Sequence, residues 1–222
     1  MPRFFFYKLV VDDGGAPCVE GGLLSLAICK PMIRSSADEN DLIFGFAANS
    51  LHPDNRLIYI ARITKKLSGD DGRNGYYSDH AYAARADCIY RWDCGTYSVR
   101  DGARFHGLPG DLEHDLGEAP LFKRANVLLS DDFRYFGGSL PEHYKTRFKK
   151  LAKAVETLGR GHRAHPEPAL ISELEALKME AWRKGDNQIV GTASQSPRCG
   201  ISHRGGVCGS IKKRSGYPRP PS

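Results

Sequence analysis

Apolar residues are spaced in two ways along this chain, as short β-type runs up to about residue 136 and as helical stripes beyond residue 141. Phe4, Phe6 and the stretch Lys8 to Val11 predict a first strand, stopped by Asp12-Asp13-Gly14-Gly15 and Pro17. Gly21-Gly22 releases the run Leu23 to Ile28, too short for spacing alone to separate strand from helix. Pro31 suits a first helical position and predicts a short helix to Ser36, closed by a turn over Asp38 to Asp41. Leu42 to Ala47 and Leu57 to Ile63 flank a turn at Pro53-Asp54-Asn55 and predict an antiparallel pair. Residues 76–87 read as helical, and short strands are expected at Ile89 to Trp92, Tyr97 to Val99, Val127 to Leu129 and Phe133 to Phe136.

After Pro141 the period changes. Tyr144, Phe148, Leu151, Val155 and Leu158 fall on one helical stripe, and after Pro166 so do Leu170, Leu174, Leu177 and Ala181. Two such helices form a hairpin that must bury its stripe against the sheet or against another chain, which leaves room for a protein partner. The expected fold is α+β: a small mixed or barrel-like antiparallel sheet over residues 1–140, a helical hairpin over 141–185, and a disordered tail over 186–222.

Composition fits this picture. With 222 residues, 41% of them hydrophobic and 26% charged, the chain can build a core plus an extension. No run approaches the roughly 20 apolar residues of a membrane-spanning helix. No signal peptide is expected ahead of the first strand, so the reading is a soluble, cytoplasmic protein with no membrane partner and reduced cysteines. The net charge of +6 is unevenly placed: residues 1–140 hold 16 Lys/Arg against 19 Asp/Glu, and residues 141–222 hold 16 against 7. The basic tail, with Lys212, Lys213 and Arg214, is suited to loose phosphate contact or to simple solvation. Cys199, His203 and Cys208 offer three zinc ligands without a nearby fourth, so the stretch is read as tail and no metal site is expected.

Among local motifs, GxSxG, the P-loop and HExxH are absent. Polar residues instead gather among glycines and aromatics. Asp13 lies in the Asp-Gly turn, and Lys30 and Arg34 flank the start of the short helix in Cys29-Lys30-Pro31-Met32-Ile33-Arg34, where two cations suit a phosphate, although spacing alone favours ordinary solvated surface charges. Glu113-His114-Asp115 places an imidazole between two carboxylates in a loop, a pattern that favours proton transfer. Asp131 and Asp132 end an apolar strand ahead of Tyr135, where they can bind a hydroxyl, activate water or cap a turn.

Read in order, Asp13-Gly14-Gly15-Ala16-Pro17, Cys29-Lys30-Pro31-Met32-Ile33-Arg34, Asp41-Leu42-Ile43-Phe44-Gly45, His114-Asp115 and Ser130-Asp131-Asp132-Phe133-Arg134-Tyr135-Phe136-Gly137 resemble the nucleotide modification associated domain family, type 2, over about residues 3–140. The family occurs in bacteria and phages. The resemblance implies a small α+β domain of DNA modification or phage-host conflict systems, linked to making, reading or processing modified nucleotides. A looser likeness, in the strands Asp41 to Ala47 and Leu57 to Ile63, is to PUA-like barrels.

Three readings follow. In the first, a module binds a modified nucleotide or base, or nucleic acid, with Asp13, Lys30, Arg34, Asp41 and Tyr135 as ligand-binding residues. In the second, a hydrolase or transferase acts on a nucleotide or nucleobase, with His114 as acid/base and Asp131 or Asp132 orienting water. In the third, the domain is a structural adaptor. The residues name no cofactor.

Overall fold

The computed structural model describes residues 2–68, 75–78, 80–139, 144–159, 161–164, 166–183, 188–189 and 191–193. In chain order the elements are β1 (Phe4–Leu9), β2 (Cys18–Glu20), β3 (Leu23–Leu26), α1 (Pro31–Ser36), β4 (Leu42–Ala47), β5 (Leu57–Arg62), β6 (Lys65–Leu67) and α2 (Gly75–Ser78). There follow β7 (Tyr90–Asp93), β8 (Thr96–Val99), α3 (Asp111–Leu116), β9 (Val127–Ser130), β10 (Asp132–Tyr135), α4 (Tyr144–Arg147), α5 (Lys149–Thr157), β11 (His162–Ala164), α6 (Pro168–Arg183) and β12 (Gln188–Ile189).

Alternation along β1 sets the layers. Phe4 and Phe6 face one core, where Phe44, Phe46 and Ile60 of the same sheet meet Tyr144, Phe148, Leu151 and Val155 and, from α6, Leu170 and Leu174. Phe5, Tyr7 and Leu9 face the opposite core, against Leu24, Leu26, Ile33 and Leu128. The first sheet is mixed, in the order β11-β1-β4-β5-β10-β12; the second, β2-β3-β9-β6, is antiparallel throughout. Beyond it a third core gathers Ala27, Ile28, Tyr77, Tyr90, Tyr97, Leu116 and Phe122 under the β7-β8 hairpin, α2 and α3. A sheet covered on both faces has no need of closure, and of the expected mixed or barrel-like forms the mixed one is found, as open sheets with short edge strands at β11 and β12.

The β4/β5 pair is antiparallel as expected, with Phe44 opposite Ile60. Gly45 is required there, because a Cβ would run into the Tyr59 ring and Leu9. The C-terminal stripe lies on the sheet as one of the two expected alternatives, but it is not a single helix. Phe148 leaves helical torsion between α4 and α5 while its ring stays in the core. Glu173 of α6 accepts the Leu151 N–H at 2.7 Å, capping the new start of α5. The link between the helices also contains a strand, β11, which pairs antiparallel with β1.

Other expectations change. Among the described residues of 76–87 only the stretch up to Ser78 is helical, because Arg85 and Asp87 turn inward: Arg85 donates to the carbonyls of Cys18, Glu20 and Leu23, and Asp87 accepts from Ser25 and Tyr76. The Glu113-His114-Asp115 loop is helix α3. Within the expected tail, Gln188–Ile189 pairs in parallel with β10, and Gly138 N–H donates to Thr192 O at 3.0 Å. The Cys199, His203 and Cys208 set and the rest of the basic tail lie outside the described residues.

Leu151 is fully buried between the sheet and α6. Leu151→Ala is expected to lower unfolding free energy by about 2–4 kcal/mol in urea titration. A loss below about 0.5 kcal/mol would mean that the stripe contributes little to the core.

Candidate active site

Three segments distant in sequence meet beyond the end of β3. Cys29 follows the apolar run immediately before α1, His106 lies in the loop after β8, and Asp115 sits in the last turn of α3. Cys29 Sγ is 3.0 Å from His106 Nε2, and His106 Nδ1 is 2.5 Å from Asp115 Oδ2. The same carboxylate accepts Tyr90 OH at 2.8 Å, and its other oxygen accepts the Cys29 N–H at 2.8 Å. Asp115 therefore fixes both the imidazole and the backbone that carries the thiol.

Arg34 locks this arrangement from beneath. Its guanidinium is fully buried and donates to the carbonyls of Cys29 (2.7 Å), Asp115 (2.7 Å), Arg124 (3.0 Å) and Asn126 (2.5 Å), while Nη2 lies 3.8 Å from Asp115 Oδ1. Burial alone would raise the Asp115 pKa, but the hydrogen bond and charge of His106, then Arg34 and Tyr90, outweigh it and hold the carboxyl below its ordinary value. With Asp115 ionised, His106 Nδ1–H donates to the carboxylate, and Nε2 faces the Cys29 sulfur, accepting from the thiol when the ring is neutral and donating to the thiolate when it is charged.

Cys29, Lys30 and His106 all have positive φ, at 57°, 42° and 50°, a left-handed conformation uncommon for residues with a side chain. Gly15 brings the Asp-Gly loop against this segment, since a Cβ there would lie 3.0 Å from the Phe105 ring. Cys29 and Lys30 remain partly accessible, whereas Cys18 and Cys88 are buried and burial raises both thiol pKa values. Behind Cys29 lies a buried hydroxyl group: Tyr7 OH is 2.9 Å from Tyr59 OH, and Tyr135 OH donates to Asp12 at 2.7 Å.

The arrangement matches a nucleophile, a base and an orienting carboxylate. Sulfur and carboxylate use opposite nitrogens of one imidazole, so the three groups do not converge on a common point as metal ligands would. Among the described residues no group of His, Cys, Asp and Glu is placed to hold a metal ion.

The expected site residues do not all gather here. Lys30 stands beside Cys29, its Nζ 4.9 Å from the Tyr7 ring centroid. Arg34 is beside Cys29 too, but its donors are spent on carbonyls, so the expectation that it meets a ligand phosphate gives way to a positioning role. His114 is half-exposed on α3, and it is the neighbouring Asp115 that turns inward. Asp13 accepts the Gly15 N–H and shapes the turn. Asp41 accepts the backbone and guanidinium of Arg3, tying the start of β1 to β4. Asp132 accepts from Arg62 and Trp182, and Asp131 is exposed beside it. A surface concavity of about 420 Å³ lined by Leu112, Glu113, Glu118 and Phe122 includes none of the three triad residues.

No sequence pattern marks His106, and Cys29 opens a motif whose sequence signal lies in its cations. A cysteine between an apolar strand and a proline-opened helix is the one local signal that could have singled out the thiol.

A pH dependence follows from Asp115. A lowered folded pKa contributes stability that is complete above the unfolded value of about 3.9 and is lost as pH falls through the folded pKa. Between about pH 4 and pH 2, Asp115→Asn should lose stability less steeply than the wild type in urea titrations. Parallel curves would show that Asp115 is not held ionised by its neighbours.

Comparison with protein families matches residues 1–195 to the one described as nucleotide modification associated domain 2. The match takes in the C-terminal helices and β12, well past the resemblance noted over residues 3–140. No curated protein and no solved structure is detectably similar to the chain.

Proposed function

Because the chain belongs to the nucleotide modification associated domain 2 family, we propose that it is a cysteine-dependent enzyme that removes or transfers an acyl substituent on a modified nucleotide or base. The observation that carries this reading is the hydrogen-bonded series from Cys29 through His106 to Asp115. Cys29 loses its proton to His106 Nε2 and bonds to the substrate carbonyl carbon. The bond to the departing amine or alcohol breaks, and His106 returns the proton to that group. Water, deprotonated by the same imidazole, then attacks the thioester, the carbon–sulfur bond breaks to release the acid, and His106 returns the proton to the Cys29 sulfur; an incoming amine or alcohol in place of water gives transfer. Asp115 stays ionised throughout and holds the ring.

This assigns the acid/base role to His106 in place of His114. A binding module gains nothing from a thiol aligned on an imidazole and a buried carboxylate, so the geometry favours catalysis over reading alone. The test incubates wild type and Cys29→Ala with nucleotides carrying ester or amide substituents on the base and follows them by mass spectrometry. Conversion by the wild type alone is expected. Equal conversion by both proteins, or by neither across amide and ester substituents, would remove the thiol from the function.

A further inference from the structure

We propose that Lys30 and His162 form a seat for the phosphate group of a nucleotide, directly beside Cys29. The inference rests on the thiol reading of Cys29 and adds to it that the substrate is phosphorylated, not a free base or nucleoside.

The geometry comes from β1 and β11. Tyr7 stands directly opposite His162 in their antiparallel register, and opposed residues point to the same face of a sheet. On that face the Lys30 ammonium lies over the Tyr7 ring, 4.9 Å from its centroid. Lys30 follows Cys29 in the chain, and its left-handed backbone turns the side chain back over β1. Two basic side chains thus meet at Tyr7 on one face of the sheet, and Lys30 adjoins Cys29 in the chain.

Neither of them makes an ion pair with a carboxylate among the described residues. Several other cations in the fold are neutralised: Arg3 by Asp38 and Asp41, Arg56 by Asp54, Arg62 by Asp132 and Lys66 by Asp38. Burial and then the nearby Lys30 charge lower the His162 pKa, the direction expected for a half-buried base facing a cation with no anion between them. A phosphate placed there would meet the ammonium as a charge-assisted partner and restore the His162 proton. The Cys29 backbone N–H is already given to Asp115 and the Arg34 donors to carbonyls, so negative charge held beside the sulfur falls to Lys30.

The test measures alkylation of Cys29 by iodoacetamide, resolved by peptide mass spectrometry, with and without a protecting anion at constant ionic strength. Inorganic phosphate should protect Cys29 saturably. A nucleoside 5′-monophosphate should protect at least tenfold more strongly than the matching nucleoside. Lys30→Met, which keeps the apolar stem over Tyr7, and His162→Gln should each raise the half-protecting phosphate concentration at least tenfold, and Lys30→Arg should restore it. Absence of saturable protection, equal protection by nucleotide and nucleoside, or unchanged protection in both variants would overturn the seat. Failure of the thiol reading shows separately, as an unprotected alkylation rate that does not depend on His106.

Discussion

Replacing His106 with glutamine is expected to reduce turnover of the acyl-modified nucleotide by about 10²–10⁴-fold, the usual contribution of a positioned general base. Glutamine can still donate to Asp115, which keeps the carboxylate partnered and the fold intact, but its amide cannot take the Cys29 proton. The imidazole lies between the Cys29 thiol and the Asp115 carboxylate, so the effect should fall on the chemical step. A kcat/KM within tenfold of wild type, with melting temperature unchanged, would place the base elsewhere. Asp115→Asn should cost less than His106→Gln in rate, since the imidazole keeps a hydrogen-bonding partner while losing its charge support.

The second large effect is on stability. Arg34→Met is expected to lower unfolding free energy by about 3–5 kcal/mol, because it takes a buried positive charge from beside Asp115 and leaves four carbonyls short of a donor. Lysine should not rescue it, since a single ammonium cannot span carbonyls from Cys29, Asp115, Arg124 and Asn126. Urea titration reads the result directly; a loss below about 1 kcal/mol would contradict the positioning role. The same substitution should slow Cys29 chemistry even in the folded fraction, because Arg34 holds the Cys29 carbonyl.

Much of this fold is written locally. Leu42 to Ala47 and Leu57 to Ile63 carry long apolar runs that no other element competes for, and their pairing follows from the turn between them. The α5 and α6 stripes are readable because one helical face buries continuously. Short elements escape the same reading: β2, β6 and β11 are three residues each and exist through their partners, and the six residues of α3 are bounded by Gly110 and Gly117, which read as loop. The helix expected beyond Ser78 loses to tertiary hydrogen bonds, since Arg85 and Asp87 gain more from the β2-β3 hairpin than from continuing a helical turn.

The site divides along the same line. Lys30 and Arg34 were visible because they sit one turn apart on a short motif, and Asp115 lay inside a suggestive triplet. His106 has no local pattern at all, flanked by Phe105 and Gly107 in a loop, and Cys29 to Asp115 spans 86 residues. Periodicity reports only neighbours in sequence. Arg34 shows the reverse error: a cation near a helix start reads as a ligand contact until its burial shows four carbonyls waiting for it.

The most direct test of Cys29 as an imidazole-activated nucleophile is its alkylation rate by iodoacetamide at neutral pH in wild type and His106→Gln, read peptide by peptide, with exposed Cys94 as the internal reference. The account predicts at least a tenfold slower rate at Cys29 in the variant, with Cys94 unchanged. Equal Cys29 rates in the two proteins would contradict it.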